Sequence, residues 1–187
     1  TCGAIAQLPD KCVAAETIKC DESFLGQSNA AKGAVNAFST YSCQLFTSDI
    51  YSASPEYVYA FTAESDAKVK VTETAGTQSG SAYSPLDITI LEDLGNGCED
   101  TGESCIDQGM SSVDFDAKEG ATYYIIFDSY QESVPIVDPF GIEVECCVPS
   151  CEPDSCAPDG CGGSCACDDG LICGPETMCV EADKGNS

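Results

Sequence analysis

The chain has 187 residues, enough for one principal core with an appendage and too few for two full-sized globular domains. Against 32 Asp and Glu stand only seven cations, all lysines, for a formal charge of -25, so nucleic acid and anionic membrane, which are held by clustered cations, are excluded as partners. With no His, Arg or Trp, the chain also lacks the means for His-based catalytic triads, His-ligated zinc, arginine fingers and guanidinium phosphate clamps.

In chain order, residues 1–17 read as an N-terminal extension. Asn29 to Ala37 is Ala-rich and predicts a short helix, weakened by Gly33. From Glu56 the spacing takes the strand period of two: Tyr57, Tyr59 and Phe61 share one face, Val58 and Ala60 the other. Val69 and Val71 then alternate with Lys68 and Lys70, and Ile88 and Ile90 with Asp87 and Thr89. Val113 to Asp116, the Lys118-Glu119-Gly120 turn and Thr122 to Asp128 predict a hairpin, with Tyr123, Ile125 and Phe127 facing opposite to Tyr124 and Ile126. The last strand sets Phe140, Ile142, Val144 and Cys146 against Glu143 and Glu145. Short strands with no alternating helices define an all-β class, an antiparallel β-sandwich or jelly roll over residues 18–146. Residues 147–187 are rich in Cys, Gly, Pro and Asp and poor in large apolar side chains, so this tail is expected to be a disulfide-stapled appendage.

Cysteine makes up about 8 per cent of the chain, the level of an exported disulfide scaffold. No apolar run approaches the roughly 20 residues of a membrane helix, and no leader precedes Thr1, so the expectation is a mature, secreted or cell-surface protein. Cys2, Cys12, Cys20, Cys43, Cys98 and Cys105 are spread over the first 145 residues, and nine more lie between Cys146 and Cys179. Proximity pairs Cys20 with Cys43 and Cys98 with Cys105. Cys147, Cys151, Cys156, Cys161, Cys165, Cys167, Cys173 and Cys179 are expected in tail bridges of open connectivity, with zinc as the lesser alternative. Fifteen is odd, so one thiol is either a spare or a link to another molecule. Nucleophilic catalysis by that thiol is disfavoured, because a thiolate needs positive charge nearby.

Taken in order, Tyr41-Ser42-Cys43, Ser54-Pro55-Glu56-Tyr57-Val58-Tyr59-Ala60-Phe61-Thr62, Leu86-Asp87-Ile88-Thr89-Ile90-Leu91 and Gly120-Ala121-Thr122-Tyr123-Tyr124-Ile125-Ile126-Phe127-Asp128 resemble the bacterial pre-peptidase C-terminal domain. The resemblance covers about residues 18 to 146. It implies a secreted β-sandwich acting as a non-catalytic accessory module for secretion, folding or attachment, with some relatives binding calcium and extracellular polymers. The tail, with Asp159-Gly160-Cys161-Gly162-Gly163-Ser164-Cys165 at its centre, resembles the small Cys-rich repeats of exported proteins from predatory and myxobacterial-type bacteria. Its Cys165-Ala166-Cys167 spacing is tighter than in that repeat.

Between Glu92 and Asp116 eight carboxylates occur with no lysine, and like charges so close repel unless screened. Calcium is the natural cation, with Asp93, Glu99, Asp100, Glu103 and Asp107 as candidate ligands. The stretch does not follow the EF-hand pattern, and the plain alternative is a solvated acidic rim. Paired carboxylates also serve glycoside hydrolysis, but acid count does not establish that geometry, and Trp, the usual sugar-stacking floor, is absent.

The reading that follows is a non-catalytic, secreted structural or adhesive protein. It self-associates at the cell surface or into an extracellular filament, through strand addition by the N-terminal stretch or an intermolecular disulfide. The alternative is a monomeric extracellular binding module for polysaccharide, protein or a partner peptidase, with exposed aromatics such as Tyr83 or Tyr130 at the contact. Inhibition of a protease by the bridged tail is a third possibility. Nothing in the chain matches an Asn-x-Ser/Thr acceptor.

Overall fold

The computed structural model describes residues 12, 14, 16–27, 34–35, 37–38, 40–43, 56–76, 86–129, 140–168 and 170–181. Their strands are β1 (Glu16–Ile18), β2 (Glu22–Gln27), β3 (Ala34–Val35), β4 (Glu56–Thr62), β5 (Ala67–Gly76), β6 (Leu86–Glu92), β7 (Cys105–Met110), β8 (Ser112–Ala117), β9 (Thr122–Ser129), β10 (Phe140–Cys147), β11 (Leu171–Cys173) and β12 (Cys179–Glu181). A six-stranded sheet runs β1-β4-β9-β6-β7, with β3 also on β4, and faces a four-stranded sheet ordered β2-β10-β5-β8. All pairings are antiparallel except that of β1 with β4. The fold is an antiparallel β-sandwich with a disulfide-rich appendage, as the alternation predicted.

The predicted inward positions fill the space between the sheets. Tyr57, Tyr59 and Phe61 on β4, Ile88 and Ile90 on β6, and Tyr123, Ile125 and Phe127 on β9 meet Val69, Val71, Val113, Phe115, Phe140, Ile142 and Val144 from the opposite sheet. Aromatic edges lock the two layers, with Tyr57 edge-on to Phe140 at 5.5 Å and Phe61 edge-on to Phe115 at 6.3 Å between ring centroids. Burial pushes the Tyr59 phenol up to about 12, so it stays neutral within the core.

Two predicted elements take another form. Ala34 and Val35 are not helical but form β3, paired with Tyr57 and Glu56. Gly33 and the β-branched Val35 are both poor helix formers, and β4 offers an edge there. The segment from Val113 to Asp128 is not a hairpin: β8 pairs β5 in one sheet, while β9 pairs β4 and β6 in the other. The 118–121 turn is an arch between layers, stacked on the equivalent arch between β4 and β5. The N–H of Ala63 donates to Ala121 O at 3.0 Å, and the N–H of Gly120 donates to Ala63 O at 2.8 Å. Asp66 secures the pair by accepting from the N–H of Glu119 at 2.9 Å and from Lys118 Nζ at 3.0 Å, bonds that hold its carboxyl below the usual range.

The cysteine pairing by proximity is also overturned. Cys20 bonds Cys146, Cys43 bonds Cys105, and Cys98 bonds Cys12. The sheet register decides this. β2 pairs β10 with Glu22 opposite Val144, which carries Cys20 to Cys146 although 126 positions separate them. Within the tail the bridges are Cys147–Cys161, Cys151–Cys165, Cys156–Cys173 and Cys167–Cys179. Because Cys147 ends β10, the tail is bolted to the sandwich without a linker. Seven bridges use fourteen cysteines, and the fifteenth, Cys2, lies outside the described residues.

Candidate functional site

The face of the six-stranded sheet that points away from the core is itself covered. Val58 on β4, Leu91 on β6 and Ile126 on β9 pack under Phe38, Tyr41 and Cys98 in a second apolar cluster. Residues 37–38 and 40–43 lie across the sheet as a strap, and buried acids pin it there. Glu56 accepts from the N–H groups of Ala37 and Phe38, both at 3.0 Å. Burial raises its carboxyl above the usual range despite those two bonds. Asp128, opposite Asp87 in the β6–β9 ladder, accepts from the Tyr41 hydroxyl at 3.0 Å, and both aspartates are buried. On the same sheet Gln108 Nε2 donates to Thr89 Oγ1 at 3.1 Å.

The loop between β6 and β7 forms the second wall. Asp93 folds its start by accepting from the N–H groups of Gly95 at 2.8 Å and Gly97 at 3.0 Å, and its other oxygen takes the Tyr124 hydroxyl at 3.3 Å. Burial and the Asp93 charge push the Tyr124 phenol up, so it remains a neutral donor. Asp100 ties loop to strap, accepting from the Ser42 N–H with one oxygen and from the Ser42 hydroxyl with the other. The Cys43–Cys105 bridge fastens the same two walls covalently, and Cys12–Cys98 ties Cys12 at the rim to the loop.

Strap and loop enclose a groove of about 1010 Å³ floored by Ala60 and Tyr124. Phe38, Thr40, Tyr41 and Ser42 line one side, and Asn96, Gly97, Glu99 and Asp100 the other, with Cys12 and Ala14 at the rim. Ring faces, hydroxyls, an amide and carboxylates are present, and there is no cation among the described lining residues. The arrangement suits polar, uncharged or positively charged ligands and repels anions.

The five expected calcium ligands are not drawn into one constellation. Asp93 and Asp100 spend oxygens on the amides just named, and Glu99 lies exposed at the groove. Glu103 is exposed on the loop, and Asp107, exposed on β7, accepts from the Gln108 N–H at 2.8 Å. Among the described residues, the one set of three potential ligand atoms within 4.8 Å of one another is Cys156, Cys167 and Cys179, and all three sulfurs are in bridges. Tyr83 and Tyr130, the expected contact aromatics, lie outside the described residues. The strap, its buried acids and Tyr124 were not expected. Their signal was the apolar residue on the outward parity of each central strand: Val58, Leu91 and Ile126.

The geometry defines a disulfide-stapled β-sandwich with a fenced outer groove and a cystine-rich module. No known family's sequence pattern matches the chain, and no curated protein matches it. Among solved structures, it is similar to the pre-peptidase C-terminal domain of a collagenase from Bacillus anthracis, at 13% identity and a TM-score of 0.39, over 72% of this chain and 99% of that one. It is also similar to a periplasmic inhibitor of g-type lysozyme from Aeromonas hydrophila, at 9% identity and a TM-score of 0.38, over 72% of this chain and 100% of that one. At these values neither likeness carries an argument about what this chain binds. Among the described residues, no helix is long and apolar enough to cross a membrane.

Proposed function

We propose that the chain is an exported, non-catalytic binding module that seats a neutral or positively charged glycan segment in the groove on the outer face of the six-stranded sheet. Export follows from seven bridges, which persist only in an oxidising compartment. The observation that carries the rest is the groove lining. Tyr124, half-buried on the floor, supplies a ring face for the apolar side of a sugar, while Thr40, Ser42, Asn96 and Glu99 supply donors and acceptors for its hydroxyls. Hydrolysis needs two working carboxylates facing each other, and of the two lining acids Asp100 is already bonded to Ser42 through both oxygens.

Self-association loses support on two counts. Glu16, the last residue of the Thr1 to Glu16 stretch expected to reach a neighbour, pairs with Tyr59 of the same chain. Copies each carrying a charge of -25 also repel one another.

Affinity electrophoresis of the full chain through neutral, amino-sugar and uronic-acid polysaccharides tests the proposal. Retardation by neutral or amino-sugar polymers, lost in Tyr124→Ala, is expected. Absence of retardation by every polymer, or equal retardation of Tyr124→Ala, overturns the glycan reading. Measurable cleavage of any polymer overturns the non-catalytic one.

A further inference from the structure

A two-stranded ribbon in the tail, β11 with β12, pairs Ile172 with Val180 and Cys173 with Cys179. Side chains alternate across a ribbon, so Ile172, Val180 and Met178 share one face, while Cys173 and Cys179 occupy the other. The cysteine face is tied down, through Cys156–Cys173 and Cys167–Cys179. The apolar face is open, with Ile172 52% exposed, Met178 47% and Val180 40%. This inverts the ordinary arrangement, in which a small ribbon turns such residues inward and its polar groups to water.

The turn joining the strands is held under strain beside that face. Glu176 and Thr177 both adopt left-handed backbone angles, φ 67° and 57°, which a β-branched residue such as Thr rarely does. The Thr177 carbonyl is drawn to the tail's core by the N–H of Cys156 at 2.8 Å and the Ser155 hydroxyl at 3.3 Å. The ribbon is therefore a rigid presentation of three apolar side chains, already ordered before anything meets it.

Charge says what meets it. Between Cys147 and Glu181 the sequence holds no Lys, and the carboxylates of Glu152, Asp154, Asp168, Glu176 and Glu181 are all exposed. An anionic membrane is repelled, and so is a second copy of the chain. We infer that the Ile172–Val180–Met178 face docks a cationic protein surface that carries an apolar patch. The ribbon is separate from the groove on the sandwich, and neither proposal depends on the other.

The test uses the full oxidised chain and two synthetic peptides of equal length and equal positive charge, one alternating Lys with Leu, the other Lys with Ser. Fluorescence anisotropy is expected to show the Lys/Leu peptide binding at least about tenfold more tightly. That preference should vanish in Ile172→Ser/Val180→Ser and persist in Met110→Ser, an equally exposed position on β7. Because every residue changed is exposed, the variants should fold, and seven bridges by mass spectrometry confirm it. Equal binding of the two peptides, a preference that survives in the double variant, or one lost equally in Met110→Ser overturns the inference. So does sedimentation showing a wild-type dimer that the same two substitutions dissolve, since the occupant would then be a second copy.

Discussion

Asp100 grips Ser42 with both carboxylate oxygens across 58 positions of sequence, one oxygen taking the backbone N–H and the other the hydroxyl. This clasp joins the strap over the six-stranded sheet to the loop between β6 and β7, and so sets the width of the groove. A residue whose charge marks it as a candidate cation ligand thus serves as a strut.

Asp100→Ala should therefore widen the groove without unfolding the sandwich. The three lost bonds, two from Ser42 and one from the Gly102 N–H, are near the surface, so the cost in global stability is about 1–2 kcal/mol. Amide exchange at Ser42 should accelerate, and glycan retardation should fall. Ser42→Ala, which keeps the N–H bond, should show a smaller effect on both measurements. Unchanged exchange at Ser42 in Asp100→Ala would mean that Glu56, Asp128 and the Cys43–Cys105 bridge hold the strap without Asp100.

Glu56 makes stability depend on pH in a particular direction. Burial raises its folded-state value above the ordinary 4.5, outweighing the N–H bonds from Ala37 and Phe38 that act the other way. A raised acid binds its proton more tightly when folded, so its contribution is full below the unfolded value and is lost as pH climbs towards the folded one. Glu56→Gln keeps a neutral side chain with one acceptor in place of two. Urea titrations of both proteins at several pH values above about 4 should show the penalty of the substitution largest at the acid end and shrinking upward. A penalty that grows with pH would reverse the sign assigned to Glu56.

The inner faces were legible because a strand's period is two and the residues obey it: Tyr57, Tyr59 and Phe61 face the core as spaced. What alternation does not encode is which sheet a strand joins. Val113 to Phe127 has the same pattern whether the Lys118-Glu119-Gly120 turn closes a hairpin or an arch. The bridges failed for a related reason, since Cys20 and Cys146 meet through the β2–β10 register rather than through nearness in sequence. At the groove, Val58, Leu91 and Ile126 announced a covered outer face, but the strap residues have no periodicity to mark them as the cover. Counting acids between Glu92 and Asp116 did not distinguish Asp93 and Asp100, bonded to amides, from Glu103, exposed to water.

Removing the Cys20–Cys146 bridge should hurt more than removing Cys167–Cys179. The first closes 126 positions and the second 12. In the chain-entropy account, long loops are worth about 4–5 kcal/mol and loops near fifteen residues about 3. Cys20→Ser/Cys146→Ser should lower the urea midpoint of the sandwich, whereas Cys167→Ser/Cys179→Ser should leave that midpoint unchanged and loosen the β11–β12 ribbon. Equal midpoints for wild type and the first double variant would show that sheet pairing alone fixes β2 on β10.

In the tail, Asp159 and Gly163 are mutually dependent. One oxygen of Asp159 accepts from the N–H groups of Cys161 at 2.7 Å and Gly163 at 2.9 Å, which hold its carboxyl below the usual range. A Cβ on Gly163 would stand 2.5 Å from the other oxygen. The side chain cannot swing away without giving up both amides, so Gly163→Ala should cost about 1–3 kcal/mol within the tail, as overpacking does. A lowered acid contributes stability above its unfolded value, and that contribution is lost as pH falls through the folded one. Amide exchange at Cys161 and residue 163, compared between wild type and Gly163→Ala, should therefore differ most at neutral pH. The gap should narrow only as the pH falls below the ordinary aspartate range, where Asp159 takes up its proton and the wild-type turn loosens as well. A gap that stays constant across that range would assign the turn to the bridges at Cys161 and Cys165 instead of to Asp159.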